Sequence, residues 1–288
     1  MFRFERRKMK SIMDAFDNVF DAANEANKPN QNDYIDAADG LYHCGVCKQP
    51  KQKRQEFLGR IAVVGIMCKC REEEVARQER ERQKQKVELL KSDGFTDRTM
   101  EGCRFEVDDN PESAQSKACR NYVEHFQEFY SRGKGLLLTG SVGTGKTFLA
   151  TCIANALMDK LHPVLMTSIS RYIRGMEGEF GNRNEHIDYL NKFDLVVFDD
   201  LGIERNTPYM NELVYALIDG RIRTGKPMVI TTNETMKTLR KTESIDISKT
   251  RIYDRILSAC IPIEFNGENI RRQQAREDYL DLKGLLGI

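Results

Sequence analysis

Apolar positions along this 288-residue chain fall into distinct regimes. Between residues 9 and 23, Met9, Ile12, Met13, Phe16, Val19 and Phe20 recur at helical spacing, which predicts an amphipathic helix. Its apolar stripe either packs on its own domain or offers a docking surface to a partner. Residues 71–91 are dense in Arg, Lys and Glu, with pairs such as Glu73/Arg77 at i,i+4. That pattern predicts a solvated helix linking two modules, ended by Gly94. From about residue 95 five short apolar runs, 135–139, 163–167, 194–199, 227–232 and 261–265, alternate with helical stretches. The alternation predicts an α/β domain, a five-stranded parallel sheet with helices on both faces. Ahead of the first strand, Asn110-Pro111-Glu112 opens a helix with proline at its first position. Ala114, Ala118, Tyr122, Phe126 and Phe129 supply its apolar face. The chain thus divides into an N-terminal helical segment (1–40), a cysteine-bearing module (41–72), a charged helical linker (73–94) and an α/β domain (95–288).

The strongest chemical signal sits between the first apolar run and the helix predicted over residues 148–160. Gly140-Ser141-Val142-Gly143-Thr144-Gly145-Lys146-Thr147 fits G-x-x-x-x-G-K-[ST], the P-loop. Glycines let the backbone wrap closely around phosphate, and successive N–H groups form an anion nest at a helix N-terminus. Lys146 is spaced to reach the β- and γ-phosphates of ATP, and the Thr147 hydroxyl to ligate Mg²⁺. Leu195-Val196-Val197-Phe198 is long enough for one buried strand and ends in Asp199-Asp200, a Walker B pattern. Asp199 would hold the Mg²⁺ shell and Asp200 would polarise the attacking water. Aspartate is one methylene shorter than glutamate, so the base needs a closer water or help from Glu204. The fourth run ends in Thr231-Thr232-Asn233, where a polar group either senses γ-phosphate or marks an ordinary strand exit.

Two arginine clusters follow. Arg251 and Arg255 lie one turn apart on a predicted helix, and Arg271-Arg272 opens the C-terminal helix after the fifth strand. The planar, always charged guanidinium suits the transition state of phosphoryl transfer. One cluster could act across a subunit boundary and the other within the subunit. The alternative is surface arginines paired with Asp254 or Glu268.

The cysteines add a second chemistry. Cys44-Gly45-Val46-Cys47 and Cys68-Lys69-Cys70 are two close pairs separated by twenty residues, the arithmetic of a zinc-ribbon-like Cys₄ site. The second pair is tighter than the usual Cys-x-x-Cys, and His43 could replace one thiolate. Free buried thiols are the competing reading. Lys48, Lys51, Lys53, Arg54 and Arg60 face a single acid, Glu56, between the pairs; they either hold a phosphate backbone or solvate the module. Cys103, Cys119, Cys152 and Cys260 show no ligand spacing and read as small core residues.

Composition narrows the class. Hydrophobic residues make up 40%, enough for a core, and no apolar run approaches the length of a membrane span. The basic N-terminus has no apolar region after it, so it is not a secretory signal. Eight cysteines without export features read as thiols or metal ligands of a cytoplasmic protein. A net charge of +1 provides no global field for nucleic acid, so local patches must carry such binding.

The motifs Gly-Ser-Val-Gly-Thr-Gly-Lys-Thr, Val-Phe-Asp-Asp-Leu-Gly-x-Glu, Lys-Pro-x-Val-Ile-Thr-Thr-Asn and Arg-x-x-Asp-Arg, in that order, resemble the DnaC/DnaI family of bacterial replicative-helicase loaders. These are AAA+ ATPases, similar also to the IstB transposition helpers, and the resemblance covers roughly residues 95–280. It implies an AAA+ P-loop fold, ATP and Mg²⁺ as ligands, a hexameric replicative helicase and single-stranded DNA as partners, and a homo-oligomer assembled through ATP. It implies that Asn233 is the sensor, Arg255 or Arg251 the arginine finger, and Arg271 the second sensor. Residues 168–184, with Arg171, Arg174 and Arg183, would lie near DNA. A cysteine-bearing zinc module ahead of the ATPase resembles the DnaI side of the family, where the N-terminal region engages the helicase. An IstB-like transposition ATPase, or an adaptor with a regulatory ATP site, are the alternatives.

Overall fold

A computed structural model describes residues 28–57, 60–95, 97–178, 183–202, 207–241, 247–267 and 269–286. The helix expected over residues 9–23, and Glu204, lie outside these residues. The chain divides into two compact units, residues 1–84 and 85–288.

In the first unit, β1 (Tyr34–Ile35) pairs antiparallel with β2 (Tyr42–His43). Strands β3 (Gln52–Phe57) and β4 (Arg60–Gly65) form a second antiparallel pair, in register from Gln52↔Gly65 to Phe57↔Arg60. Among the described residues of this unit, the buried apolar side chains are Leu41, Cys44, Val64 and Cys68. Among those residues hydrophobic burial is slight. Helix α1 (Lys69–Gly94) then carries the chain from the first unit into the second. Its charged residues are almost all exposed, as the i,i+4 pattern predicts, and its buried positions are Lys91 and Gly94 at the C-terminal end. Lys91 Nζ donates to Asp159 Oδ1 at 2.6 Å.

In the second unit the end of α1 and two short 3-10 helices (Arg98–Gly102 and Phe105–Val107) precede α2 (Ala114–Glu124) and α3 (Phe126–Ser131). Here the sequence expectation is off by one turn. The Ser113 hydroxyl accepts from Ser116 N at 3.1 Å and caps the helix, leaving Pro111 in the preceding turn. Of the expected apolar face, Tyr122, Phe126 and Phe129 meet in one aromatic cluster across a break at His125, while Ala114 is exposed and Cys119 and Val123 are buried instead.

The sheet follows: β5 (Gly135–Gly140), α4 (Lys146–Asp159), β6 (Val164–Ser168), α5 (Ile169–Gly178), α6 (Arg183–Leu190), β7 (Leu195–Leu201), α7 (Pro208–Arg223), β8 (Met228–Thr232), α8 (Met236–Lys241), α9 (Ile247–Ala259), β9 (Cys260–Phe265) and α10 (Ile270–Leu286). The five strands are parallel, in the order β6-β7-β8-β5-β9. Near-continuous apolar runs are what a sheet covered on both faces requires. Alternate residues serve opposite faces: Leu136 and Leu138 join one core cluster while Leu137 joins the other. Valines 196 and 197 divide in the same way.

Buried Arg221 on α7 ties these layers together. Its guanidinium donates to the carbonyls of Leu190, Phe193, Asp194 and Pro227, so it fixes the approaches to both β7 and β8. Burial lowers its pKa to about 10, and five hydrogen bonds hold it in place. The polar ends of β5, β7 and β8 lie side by side at the carboxyl edge of the sheet, where open α/β sheets bind ligands.

Candidate nucleotide site and cysteine centre

β5 delivers the chain into the 141–145 loop, and α4 begins at Lys146. Gly143 has φ +82°, and a Cβ there would lie 2.1 Å from Asn269 Oδ1. Glycine is therefore required for backbone and packing at once. Asn269 Oδ1 also accepts from Arg272 N at 3.0 Å, and Ile270 N donates to the Gly143 carbonyl at 2.9 Å. The start of α10 is thereby pinned to the loop. Thr144 Oγ1 and Lys146 Nζ both donate to the Ser141 carbonyl, at 2.9 and 2.7 Å. Burial holds the Lys146 pKa below the usual lysine value, against the pull of Asp200 and Asp199.

The neighbouring strand carries the aspartate pair on a bulge. Val196, Val197 and Phe198 pair with Met228, Val229 and Ile230, but Leu201 pairs with Thr232. Asp199 and Asp200 thus share one partner position, Thr231, and Asp200 takes φ +57°. Thr231 Oγ1 donates to Asp199 Oδ1 at 2.7 Å and accepts from Asp200 N at 2.8 Å. One fully buried hydroxyl therefore brackets the bulge. Thr147 Oγ1 donates to the same Asp199 oxygen at 3.0 Å. Burial raises the Asp199 pKa, with the Thr231 hydrogen bond opposing. A bulge that turns a side chain into the left-handed region re-aims it, a device common beside active sites.

Of these groups Gly143, Thr144, Lys146, Thr147 and Asp200 border a cleft of about 650 Å³. The loop from Val142 to Thr147, Asp200, Asn233 and Arg271 line it, and Asp108, Asn110 and Ser113 form another part of its wall. The structure thus gathers Lys146, Thr147, Asp199, Asp200, Asn233 and Arg271 around one site. Arg255 is elsewhere, on α9 beside Asp219, and exposed Arg251 lies one turn earlier. Exposed Arg171 and Arg174 are on α5, and Arg183 begins α6. Sequence reasoning missed Thr231 as the bracket and Asn269 as the contact to Gly143. Their only signals were a polar strand end and an asparagine just before a helix.

The four cysteines converge. The sulfurs of Cys44, Cys47, Cys68 and Cys70 all lie within 4.8 Å of one another. Cys44–Cys70 is 3.5 Å and Cys68–Cys70 is 3.7 Å. Tetrahedral zinc with bonds of about 2.3 Å sets sulfurs about 3.8 Å apart, so the donor set fits zinc. The tight Cys-x-Cys pair works because α1 starts within it: the Cys68 carbonyl accepts from Arg71 N and Glu72 N. The Cys44 turn needs Gly45, since a Cβ there would sit 1.8 Å from the Asn32 carbonyl oxygen. Hydrogen bonds from the Gln49 and Cys70 backbones lower the Cys47 pKa to about 6, while the neighbouring thiols, Cys47 first, push Cys70 to about 12. Four thiolates this close repel one another unless a cation sits among them.

His43 does not take the ligand role left open for it. Its ring nitrogens face Asp39 Oδ2 at 2.9 Å and the Lys48 carbonyl at 3.1 Å. Lys51 is also withdrawn from the basic surface, buried with its Nζ on Asp33 Oδ2.

A P-loop on β5, an aspartate pair on β7 and a polar end on β8, in a parallel sheet with β5 between β8 and β9, define an AAA+ P-loop NTPase. The chain belongs to the family of IstB-like ATP binding proteins, whose model matches residues 46–278. It is 24% identical over 204 residues to the replicative helicase loader DnaI of Bacillus subtilis (strain 168), covering 66% of this chain and 65% of that one. It is 27% identical over 172 residues to the replicative helicase loader DnaC of Escherichia coli (strain K12), covering 58% and 66%. The chain therefore spans just under two thirds of the length of these relatives. A crystal structure of DnaI superposes with a TM-score of 0.51 at 29% identity, covering 61% of this chain and 94% of that one. No helix among the described residues is long and apolar enough to cross a membrane.

Proposed function

We propose that this protein is a cytoplasmic ATPase that loads a hexameric replicative helicase onto single-stranded DNA. The observation that carries the reading is the joined geometry of Lys146, Thr147, Asp199, Thr231 and Asp200 at one cleft, in a chain similar to two named helicase loaders. The nest formed by Gly140, Ser141, Val142, Gly143, Thr144 and Gly145 cradles the phosphates of ATP. Lys146 leaves the Ser141 carbonyl to meet them. Thr147 and Asp199 would hold Mg²⁺, which would supply charge neutralisation to the phosphates. Asp200, turned by its bulge, orients and deprotonates the attacking water. Asn233 reads the γ-phosphate, and Arg271 reaches the nucleotide from the start of α10. Arg255 completes the site of a neighbouring copy, so that ATP drives assembly. Arg171, Arg174 and Arg183 meet the DNA backbone. Cys44, Cys47, Cys68 and Cys70 hold a structural zinc, and the unit that carries them engages the helicase. We take the domain limits to be 1–40, 41–72, 73–94 and 95–288.

A second reading, an IstB-like transposition ATPase, is favoured by the family that the chain matches and by its 25% identity over 141 residues to a putative ATP-binding protein of an insertion sequence in Mycobacterium tuberculosis (strain ATCC 25618 / H37Rv). Purification from lysate separates the two. The loader reading expects a hexameric helicase to co-purify; a transposase in its place would overturn it. Lys146→Ala should abolish nucleotide binding, and Asp200→Asn should retain binding and stop turnover. Unchanged turnover in Asp200→Asn would remove Asp200 from the role of base.

A further inference from the structure

Where α7 and α9 pack together lies a carboxylate that the ATP cleft does not use. The Asp219 side chain is nine-tenths buried. Its Oδ2 accepts from Arg223 Nε at 2.6 Å, and its Oδ1 faces Arg255 Nη2 at 3.3 Å without hydrogen-bond geometry. Tyr215 and Asp219 both hold the Arg255 pKa up, Tyr215 first. Tyr215, Asp219 and Arg223 are spaced i, i+4 and i+8, so they share one face of α7.

The charge arithmetic is unusual for a structural pair. One carboxylate is neutralised by one guanidinium, yet two converge on it, leaving one positive charge in excess. A surface i,i+4 pair would need neither a buried carboxylate nor a second arginine from another helix, and it contributes little. The arginines are not buried with Asp219. The Arg223 side chain is 75% exposed and that of Arg255 is 44% exposed. Arg223 engages Asp219 through Nε, one of the five N–H donors of a guanidinium. Neither arginine lines the chain's own nucleotide cleft. The anion that this pair fits therefore belongs to another molecule.

We propose that Arg223 and Arg255 form one phosphate clamp, held side by side by Asp219, that takes the γ-phosphate of ATP bound to a second copy of this chain. The proposal rests on the reading that Arg255 acts in trans. It goes further by making Arg223 a second catalytic arginine and Asp219 the positioning residue for both. The loose Arg255–Asp219 contact lets Arg255 move onto phosphate while the tighter Arg223–Asp219 bond keeps the base of the clamp fixed.

The test uses the full-length chain with Mg-ATP. Arg223→Ala removes an exposed side chain and with it a hydrogen bond to buried Asp219, so thermal unfolding verifies its fold before turnover is read. Diluted until it does not assemble, it should bind ATP as the parent chain does. Assembled, it should turn over ATP tenfold to a hundredfold more slowly, the range expected for a charge-assisted contact to phosphate. It should also need more ATP to assemble, read by sedimentation. Mixing it with Lys146→Ala should restore turnover, because the second chain supplies both arginines to a site with an intact Lys146. Arg223→Lys should recover only part of the loss, since an ammonium lacks the fork. Parental turnover and assembly in Arg223→Ala would overturn the clamp, and so would loss of ATP binding in the dilute chain, which would put Arg223 in cis. Arg255→Ala mixed with Lys146→Ala is the control. Recovery there with a parental Arg223→Ala defeats the clamp alone; no recovery defeats the trans reading and the clamp with it.

Discussion

The two units of this chain solve the same problem by opposite means. Residues 85–288 bury two apolar clusters on the faces of a parallel sheet, and their polar chemistry is gathered at one edge of that sheet. Among the described residues of 28–84, four apolar side chains are buried, two of them cysteines. In the first case burial organises a site. In the second a site, four converging sulfurs, must organise what little burial there is. The difference teaches where each unit is vulnerable: one to loss of volume, the other to loss of a ligand.

The sharpest way to break the comparison is to remove the metal we assign to the four thiols. Structural zinc contributes about 10–16 kcal/mol to small domains at neutral pH. Chelation, or Cys68→Ser with Cys70→Ser, should therefore release one zinc per chain and unfold residues 41–72 while ATP binding persists. Elemental analysis with hydrogen exchange checks both halves. Full metal retention in the double variant, or concerted loss of ATP binding, would contradict the account.

The converse experiment is smaller in effect. Leu137 is fully buried on β5, and Leu137→Ala should cost about 2–5 kcal/mol. Thermal unfolding of the α/β unit should shift down while the zinc content stays unchanged. A drop in zinc content would tie together the two cores that the account separates.

The smallest effect probes the Walker B bulge. Thr231→Val keeps shape but deletes a donor to Asp199 and an acceptor for Asp200 N. The expected cost is about 1–3 kcal/mol in stability. We also expect turnover to fall more than nucleotide binding does, because the hydroxyl sets the aspartates and does not touch the phosphate nest. Equal losses in binding and turnover would argue against that role.

The parts of this architecture that were legible in the sequence are those written in consecutive residues. Gly140 to Thr147 encodes its own loop, and the runs that became β5 to β8 are apolar because both faces of the sheet are covered there, whereas the edge strand β9 leaves Ile261, Pro262 and Glu264 exposed. The charged stretch that became α1 was legible for the opposite reason: most of its charged side chains are exposed, up to its C-terminal end at Lys91. What escaped depended on partners distant in sequence. The Asp199–Asp200 bulge exists only against the register of β8, so Thr231 looked like a strand end. Asp219 carries no signal in its own stretch of sequence, because its partner Arg255 comes from α9. The start of α2 was misplaced because Pro111 is a weaker signal than the Ser113 side chain, whose bond to Ser116 N closes the first turn. His43 seemed a possible ligand because sequence proximity to Cys44 does not reveal that Asp39 and the Lys48 carbonyl occupy its ring.

The central claim, that ATP at this cleft drives delivery of a helicase, has one direct measurement. The co-purifying hexameric helicase is mixed with circular single-stranded DNA, ATP and this protein, and DNA-bound helicase is counted after gel filtration. The account predicts helicase on DNA with the parent chain and ATP, and little with Lys146→Ala or without nucleotide. Equal loading by the parent chain and Lys146→Ala, with helicase binding retained by both, would contradict it.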